Sequence, residues 1–155
     1  MTDMGCFSSR TGGQWGMAAD GVRESRELSV DTALHLLGTI GFGRVAFSRY
    51  ALPAIRPVSH ALVEDHLVIY ADAAITGSLD RQVVAYEVDA IDHRTSLGWC
   101  VIVTGIADTV RDQHEIVHYQ RFLPARTVGS GDRVTRILPD IVTGVEYVGL
   151  EDADR

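Results

Sequence analysis

Apolar positions recur at every second residue, or run on without interruption, over most of this chain from residue 40 onward. Such stretches mark β-strands. They lie near 40–48 (IGFGRVAFS), 53–63 (PAIRPVSHALV), 66–71 (HLVIYA), 82–89 (QVVAYEVD) and 98–110 (GWCVIVTGIADTV), with a last one near 133–148 interrupted at Pro139. The breaks RYALP and VEDH are short enough to be hairpin turns, which predicts a mostly antiparallel sheet. Helical spacing is scarcer. Ser29 is placed to cap VDTALHLLG, with Asp31 favourable in its first turn and Gly38 at its end. Ile116, Val117, Tyr119, Gln120 and Leu123 predict one amphipathic helix within 111–123, and 73–80 (AAITGSLD) reads as a turn or half-helix.

The fold class that follows is mainly β: a small closed or nearly closed barrel of about six strands with one or two flanking helices. Side chains fill the interior of a barrel this small. A ligand would therefore sit outside it, in a groove or between subunits.

Length allows one domain in 155 residues. Residues 1–27 carry Gly, Ser and charge without periodicity and read as a tail. Residues 28–150 form the domain, and 151–155 are a C-terminal tail. The net charge of −7 speaks against nucleic-acid binding, which needs a basic face, and suits a small-molecule substrate. No stretch resembles a secretory leader or approaches the roughly 18 apolar residues that cross a membrane, so a cytoplasmic protein is expected. All 14 basic residues are Arg. Lysine-dependent Schiff-base chemistry is thereby excluded, and any phosphate held by a side-chain cation must be held by Arg.

Candidate chemistry is sparse. Pro57 cannot donate a ladder hydrogen bond, so AIRPVSH belongs at a sheet edge with free backbone groups, beside the multi-donor guanidinium of Arg56. Thr76, Gly77 and Ser78, followed by Arg81, could present hydroxyls, amides and a cation to a phosphate, though a plain polar turn explains them equally well. Glu87 and Asp89 share one face of a strand and read as solvated charge. His114 and His118 have helical spacing but no third ligand, so no metal site is expected. Cys6 and Cys100 lie in dissimilar surroundings and predict no disulfide. With no nucleophile elbow and no placed acid or base, the catalytic residues are unknown, and chemistry would have to come from a cofactor.

The order of segments carries more than any one of them. LLGTIGFGRVAFS, PAIRPVSH, HLVIYAD, VVAYEVDAID, SLGWCVIVTGIADTV and RILPDIVTGVEYV together resemble the pyridoxamine 5′-phosphate oxidase-like flavin-binding proteins, in particular their small actinobacterial-type group. The resemblance covers roughly residues 30–148. It implies a split-barrel homodimer with FMN in a groove at the subunit interface and oxidoreductase activity on a small substrate. The segment Ile55–His60, through Pro57, Val58 and Ser59, would lie along the isoalloxazine ring. Tyr70 and Asp72 would approach the phosphate with Ser78, Arg56 and Arg81 would hold it, and Trp99 would close the groove. Two positions depart from the family pattern: Leu79 stands where a Lys commonly follows Gly-Ser, and Ala71-Asp72 where many relatives have Arg-Thr. Both reduce positive character where a phosphate belongs. Two alternatives therefore stay open. One is the deazaflavin F420, its acidic tail held by Arg10, Arg23 and Arg26; the other is a barrel that has lost its cofactor.

Overall fold

A computed structural model describes residues 22–125 and 131–150 of the chain. In chain order the elements are β1 (Arg23–Glu27), α1 (Val30–Thr39), β2 (Phe42–Arg49), β3 (Leu52–Val63), β4 (His66–Ala71) and α2 (Ala73–Leu79). They continue with β5 (Gln82–Ile91), β6 (Gly98–Thr109), α3 (Gln113–Gln120) and β7 (Arg133–Gly149). The strands form one antiparallel sheet in the order β1-β7-β4-β3-β2-β5-β6, and pairing of β6 with β7 closes it into a barrel.

The expected mainly-β barrel is what forms, with seven strands rather than about six and with three helices. The extra strand, β1, lies in the stretch without periodicity. It runs antiparallel to the end of β7, from Arg23 opposite Gly149 to Glu27 opposite Val145. Its residues are mostly exposed, so it buries no alternating face and leaves no apolar signal. The predicted interruption at Pro139 does not end β7. A bulge at Thr104/Gly105 pairs Thr104 with Ile141 and Gly105 with Pro139, leaving Asp140 as the extra residue. A Cβ on Gly105 would lie 1.8 Å from the Leu138 carbonyl oxygen, so this close approach admits only glycine.

Both hairpins in the β2–β3–β4 meander have two-residue loops. Tyr50 and Ala51 have φ of 52° and 61°, and Glu64 and Asp65 have 49° and 66°. These left-handed values match the twist of flanking strands, although no glycine occupies either loop.

Inward-facing side chains fill the barrel: Val45, Leu67, Ile69, Tyr86, Val101 and Val103 are wholly buried. The helices complete this core with Ala33 and Leu37 from α1 and Ile75 and Leu79 from α2. Ser29 caps α1 as expected, accepting from the Thr32 amide at 3.2 Å. A smaller cluster of Val63, Val68, Val110, Tyr119, Leu123 and Val134 lies under α3. Arg136 pins that helix, donating to Glu115 and to Asp108 at 3.1 Å each. No helix among the described residues is long and apolar enough to cross a membrane.

Candidate functional site

The barrel is split between β3 and β4. Their ladder runs only from Val63 opposite His66 to His60 opposite Ile69. Beyond it, residues 52–59 of β3 pair with β2 alone, and Tyr70 and Ala71 pair only with β7. Pro57 thus sits on the edge its chemistry demands, because no neighbouring strand requires its missing N–H.

A groove of about 220 Å³ occupies the split, lined by Phe42, Pro57, Val58, Ser59, Tyr70, Asp72, Pro124, Ala125 and Asp132. Five of the nominated residues meet here: Pro57, Val58, Ser59, Tyr70 and Asp72. Phe42, Pro124, Ala125 and Asp132 have no counterpart in the sequence reading. Phe42 is 55% exposed at the start of β2, and Pro124–Ala125 follow α3, so only the tertiary fold brings them to β3.

Arg56, Ser78, Arg81 and Trp99 do not line this groove. Arg56 is exposed and its guanidinium donates to the carbonyl of Ile55 at 3.2 Å. Arg81 is an exposed turn residue with φ of 60°, tied by its amide to Ala107. Trp99 packs, partly buried, against the main core of its own chain. Its neighbour Gly98 has φ of 137°, and a Cβ there would lie 2.0 Å from the Ala90 carbonyl oxygen, so glycine is required before the indole. Ser78 lies in α2, because the segment expected to offer a phosphate turn is a helix. The Thr76 hydroxyl there is spent on the Asp72 carbonyl at 2.7 Å. Leu79, where the family pattern has Lys, is wholly buried in the core. The Asp72 carboxylate accepts from the Ala74 and Ile75 amides at 2.8 and 3.2 Å, capping α2 from within.

Of the tail arginines invoked for an acidic cofactor tail, Arg10 lies outside the described residues. Arg23 donates to the Ser96 carbonyl at 2.8 Å and stacks on Tyr147, and Arg26 pairs with Glu24 at 3.5 Å. These two are committed to β1 rather than to the groove.

Behind the groove wall lies a buried polar chain. Tyr86 reaches from β5 across β2 to β3, which is possible because Gly43 has no Cβ: one would lie 2.8 Å from the Tyr86 ring. Its hydroxyl is 3.1 Å from the Val58 carbonyl and 2.7 Å from His60 Nδ1, while His60 Nε2 meets the Leu37 carbonyl at 2.9 Å. A carbonyl only accepts, so a neutral His60 carries its proton on Nε2 and takes the Tyr86 proton at Nδ1. Burial pulls the His60 pKa down and pushes that of Tyr86 far up.

Elsewhere, the strand-face carboxylates are less solvated than expected. Arg44 donates to Glu87 and Asp89 at 3.0 Å each, and the Cys100 thiol lies 3.6 Å from Glu87. No group of three metal-ligating side chains occurs among the described residues.

An antiparallel barrel opened along one edge, with a groove in the opening, is a split barrel. The family model described as pyridoxamine 5′-phosphate oxidase matches residues 29–146, and the chain belongs to that family. An uncharacterized protein of Mycobacterium tuberculosis is 42% identical over 133 residues, covering 81% of this chain and 88% of that protein. A conserved protein of unknown function from Corynebacterium diphtheriae superposes with a TM-score of 0.69 at 25% identity, covering 80% of this chain and 98% of the other. The FAD binding protein from Mycobacterium smegmatis gives a TM-score of 0.66 at 24% identity, over 80% of this chain and 98% of that one.

Proposed function

We propose that this protein is a flavin-dependent oxidoreductase that holds the isoalloxazine ring in the split between β3 and β4. The observation that carries this reading is the groove itself. An unpaired stretch of β3 offers backbone donors and acceptors along one side, and Pro57, Val58, Phe42 and Tyr70 supply apolar and aromatic walls. Flat heteroaromatic rings suit such a site, because few polar groups fix their orientation while apolar walls supply affinity. Family membership and the FAD-binding relative support it. A bound flavin would supply hydride or electron transfer; the chain's own part is to orient the ring and exclude water from one of its faces.

The ring end fits these residues. The phosphate end, placed as the family pattern places it, does not: Asp72 and Asp132 line the groove, and no described lining residue is cationic. The same pair of carboxylates weighs against the acidic tail of F420. FMN remains the first candidate on family grounds.

We also propose a homodimer. On the outer face, Val83 lies opposite Ile106 and Ile106 opposite Leu138, at 66%, 54% and 56% exposure. Ile55 and Ile141, at 60% and 56%, end a second row running through Ala46, Ala85 and Thr104. The bulge at Gly105 turns both Leu138 and Ile141 outward, which a regular strand would not do at that spacing. A contiguous apolar face of this kind calls for a partner, and the family resemblance makes that partner a second copy.

The test is a visible spectrum after incubation with FMN, FAD or riboflavin and desalting, read beside the mass from light scattering. Retained flavin colour on a dimer supports the proposal, with an Ile106→Glu variant expected to run as a monomer. A colourless wild type after all three would overturn the flavin reading in favour of a barrel without cofactor.

A further inference from the structure

A second cavity of about 420 Å³ lies against α2 and the end of β2, lined by Ser48, Arg49, Tyr50, Ala73, Ala74, Gly77, Ser78 and Gln82. Its chemistry is the inverse of the groove's. The groove has two carboxylates and no described cation, whereas this cavity has a guanidinium and no carboxylate. Arg49 is half-buried and makes no ion pair among the described residues; its guanidinium instead lies 5.5 Å from the Tyr50 ring. Arg136, in a third cavity, is by contrast held by Asp108 and Glu115. The hydroxyls of Ser48 and Ser78 and the amide of Gln82 likewise meet no protein partner among the described residues. Four polar groups therefore converge on one space without satisfying each other.

The two-residue β2–β3 hairpin loop, whose left-handed φ values match the twist of its strands, brings Tyr50 to the same space beside Arg49. Two neighbouring cavities of opposite character, one for a flat ring and one for an anion, suit a single ligand with a ring and a phosphorylated tail. The two cavities draw on adjacent residues at the start of α2: Asp72 lines one, and Ala73 and Ala74 line the other.

We infer that phosphate recognition in this chain has moved from the Asp72 end of the groove to the Arg49 cavity, where Arg49, Ser48 and Ser78 bind a phosphate ester or pyrophosphate. This rests on the proposed flavin reading for the identity of the tail, but not for the site: a free phosphorylated substrate would use the same donors. Arg49 contributes a charge-assisted fork, and the hydroxyls each contribute one donor. Asp72 stays where it is because α2 needs its cap.

The test titrates wild type and the Arg49→Gln, Ser78→Ala and Asp72→Asn variants with riboflavin, FMN and inorganic pyrophosphate, following protein fluorescence and thermal stability. FMN is expected to bind wild type about tenfold more tightly than riboflavin, the loss expected for one charge-assisted bond. Arg49→Gln should erase that difference while leaving riboflavin affinity unchanged, and Ser78→Ala should narrow it. Pyrophosphate should raise the melting temperature of wild type but not of Arg49→Gln. Equal affinity of wild type for FMN and riboflavin overturns the inference. So does an Arg49→Gln variant that weakens both flavins alike, or an Asp72→Asn variant that raises FMN affinity while Arg49→Gln leaves it untouched. If no flavin binds, the flavin reading fails by itself; a pyrophosphate shift lost in Arg49→Gln then sustains the anion site, and no shift in wild type overturns it.

Discussion

The Tyr86 hydroxyl and His60 Nδ1 lie 2.7 Å apart in the barrel wall, directly behind the strand that lines the groove. Their rings meet nearly edge to face, with centroids 5.1 Å apart and planes at 79°. The Tyr86 hydroxyl also lies 3.1 Å from the Val58 carbonyl, so this pair backs the groove wall from inside.

Removing the hydroxyl should loosen that wall. Tyr86→Phe leaves His60 Nδ1 without its donor in a dry interior, at a cost of about 1–3 kcal/mol. Urea unfolding should show a lower midpoint with an unchanged slope, and hydrogen exchange should rise along β3. A variant as stable as the parent would mean that the bond contributes nothing.

The same pair gives a pH dependence. His60 has its folded pKa lowered by burial, so below the ordinary histidine range the unfolded chain binds a proton that the folded chain refuses. Stability is therefore full above about pH 6.5 and falls as pH drops from there toward the lowered folded value, with a slope of at most about 1.4 kcal/mol per pH unit. Melting temperatures between pH 7.5 and 5 should show this decline, and His60→Gln should flatten it.

Asp72 should prove structural before it proves functional. Asp72→Ala removes the acceptor of two amides and should cost about 0.5–2 kcal/mol, whereas Asp72→Asn keeps a good cap and should stay within a few tenths of the parent. Chemical denaturation of the two variants side by side measures the difference. Equal destabilisation by both would show that the charge, and not the cap, is what α2 needs.

Cys100 should be an unreactive thiol. Burial, then the neighbouring Glu87 carboxylate, push its pKa up to about 11. In a Cys6→Ser background, alkylation by iodoacetamide should be slow at pH 7 and still rising at pH 10. Glu87→Gln should shift that profile toward lower pH. Rapid labelling at neutral pH would contradict the environment described.

Gly105 and Pro139 belong to one device, and Gly105→Ala should damage it. The added Cβ meets the Leu138 backbone, which cannot move aside cheaply, so a loss of about 1–3 kcal/mol is expected by thermal or urea unfolding. The bulge orients Leu138 and Ile141, so weakening of the proposed dimer should accompany the lost stability.

The strands were legible from local pattern because a barrel buries one face of each strand, which imposes an alternation that any reader of the sequence can see. β6 is the plainest case: Val101, Val103, Gly105 and Ala107 point inward, while Ile102 and Ile106 point out. Pro57 announced an edge for an equally local reason, its missing N–H. The sequence also specified the cap at Ser29, whereas only the structure revealed that Asp72 caps a helix rather than serving a phosphate turn. What lay beyond reach required knowing which distant segments become neighbours. Nothing local marks β1, whose exposed residues follow β7 rather than a core. Nothing local places Pro124, Ala125 and Asp132 against β3, or brings Arg49 and Ser78 to the wall of one cavity. Whether a charged side chain faces a cavity, a cap or another charge depends on contacts between residues far apart in the chain, and those exist only once the barrel has closed.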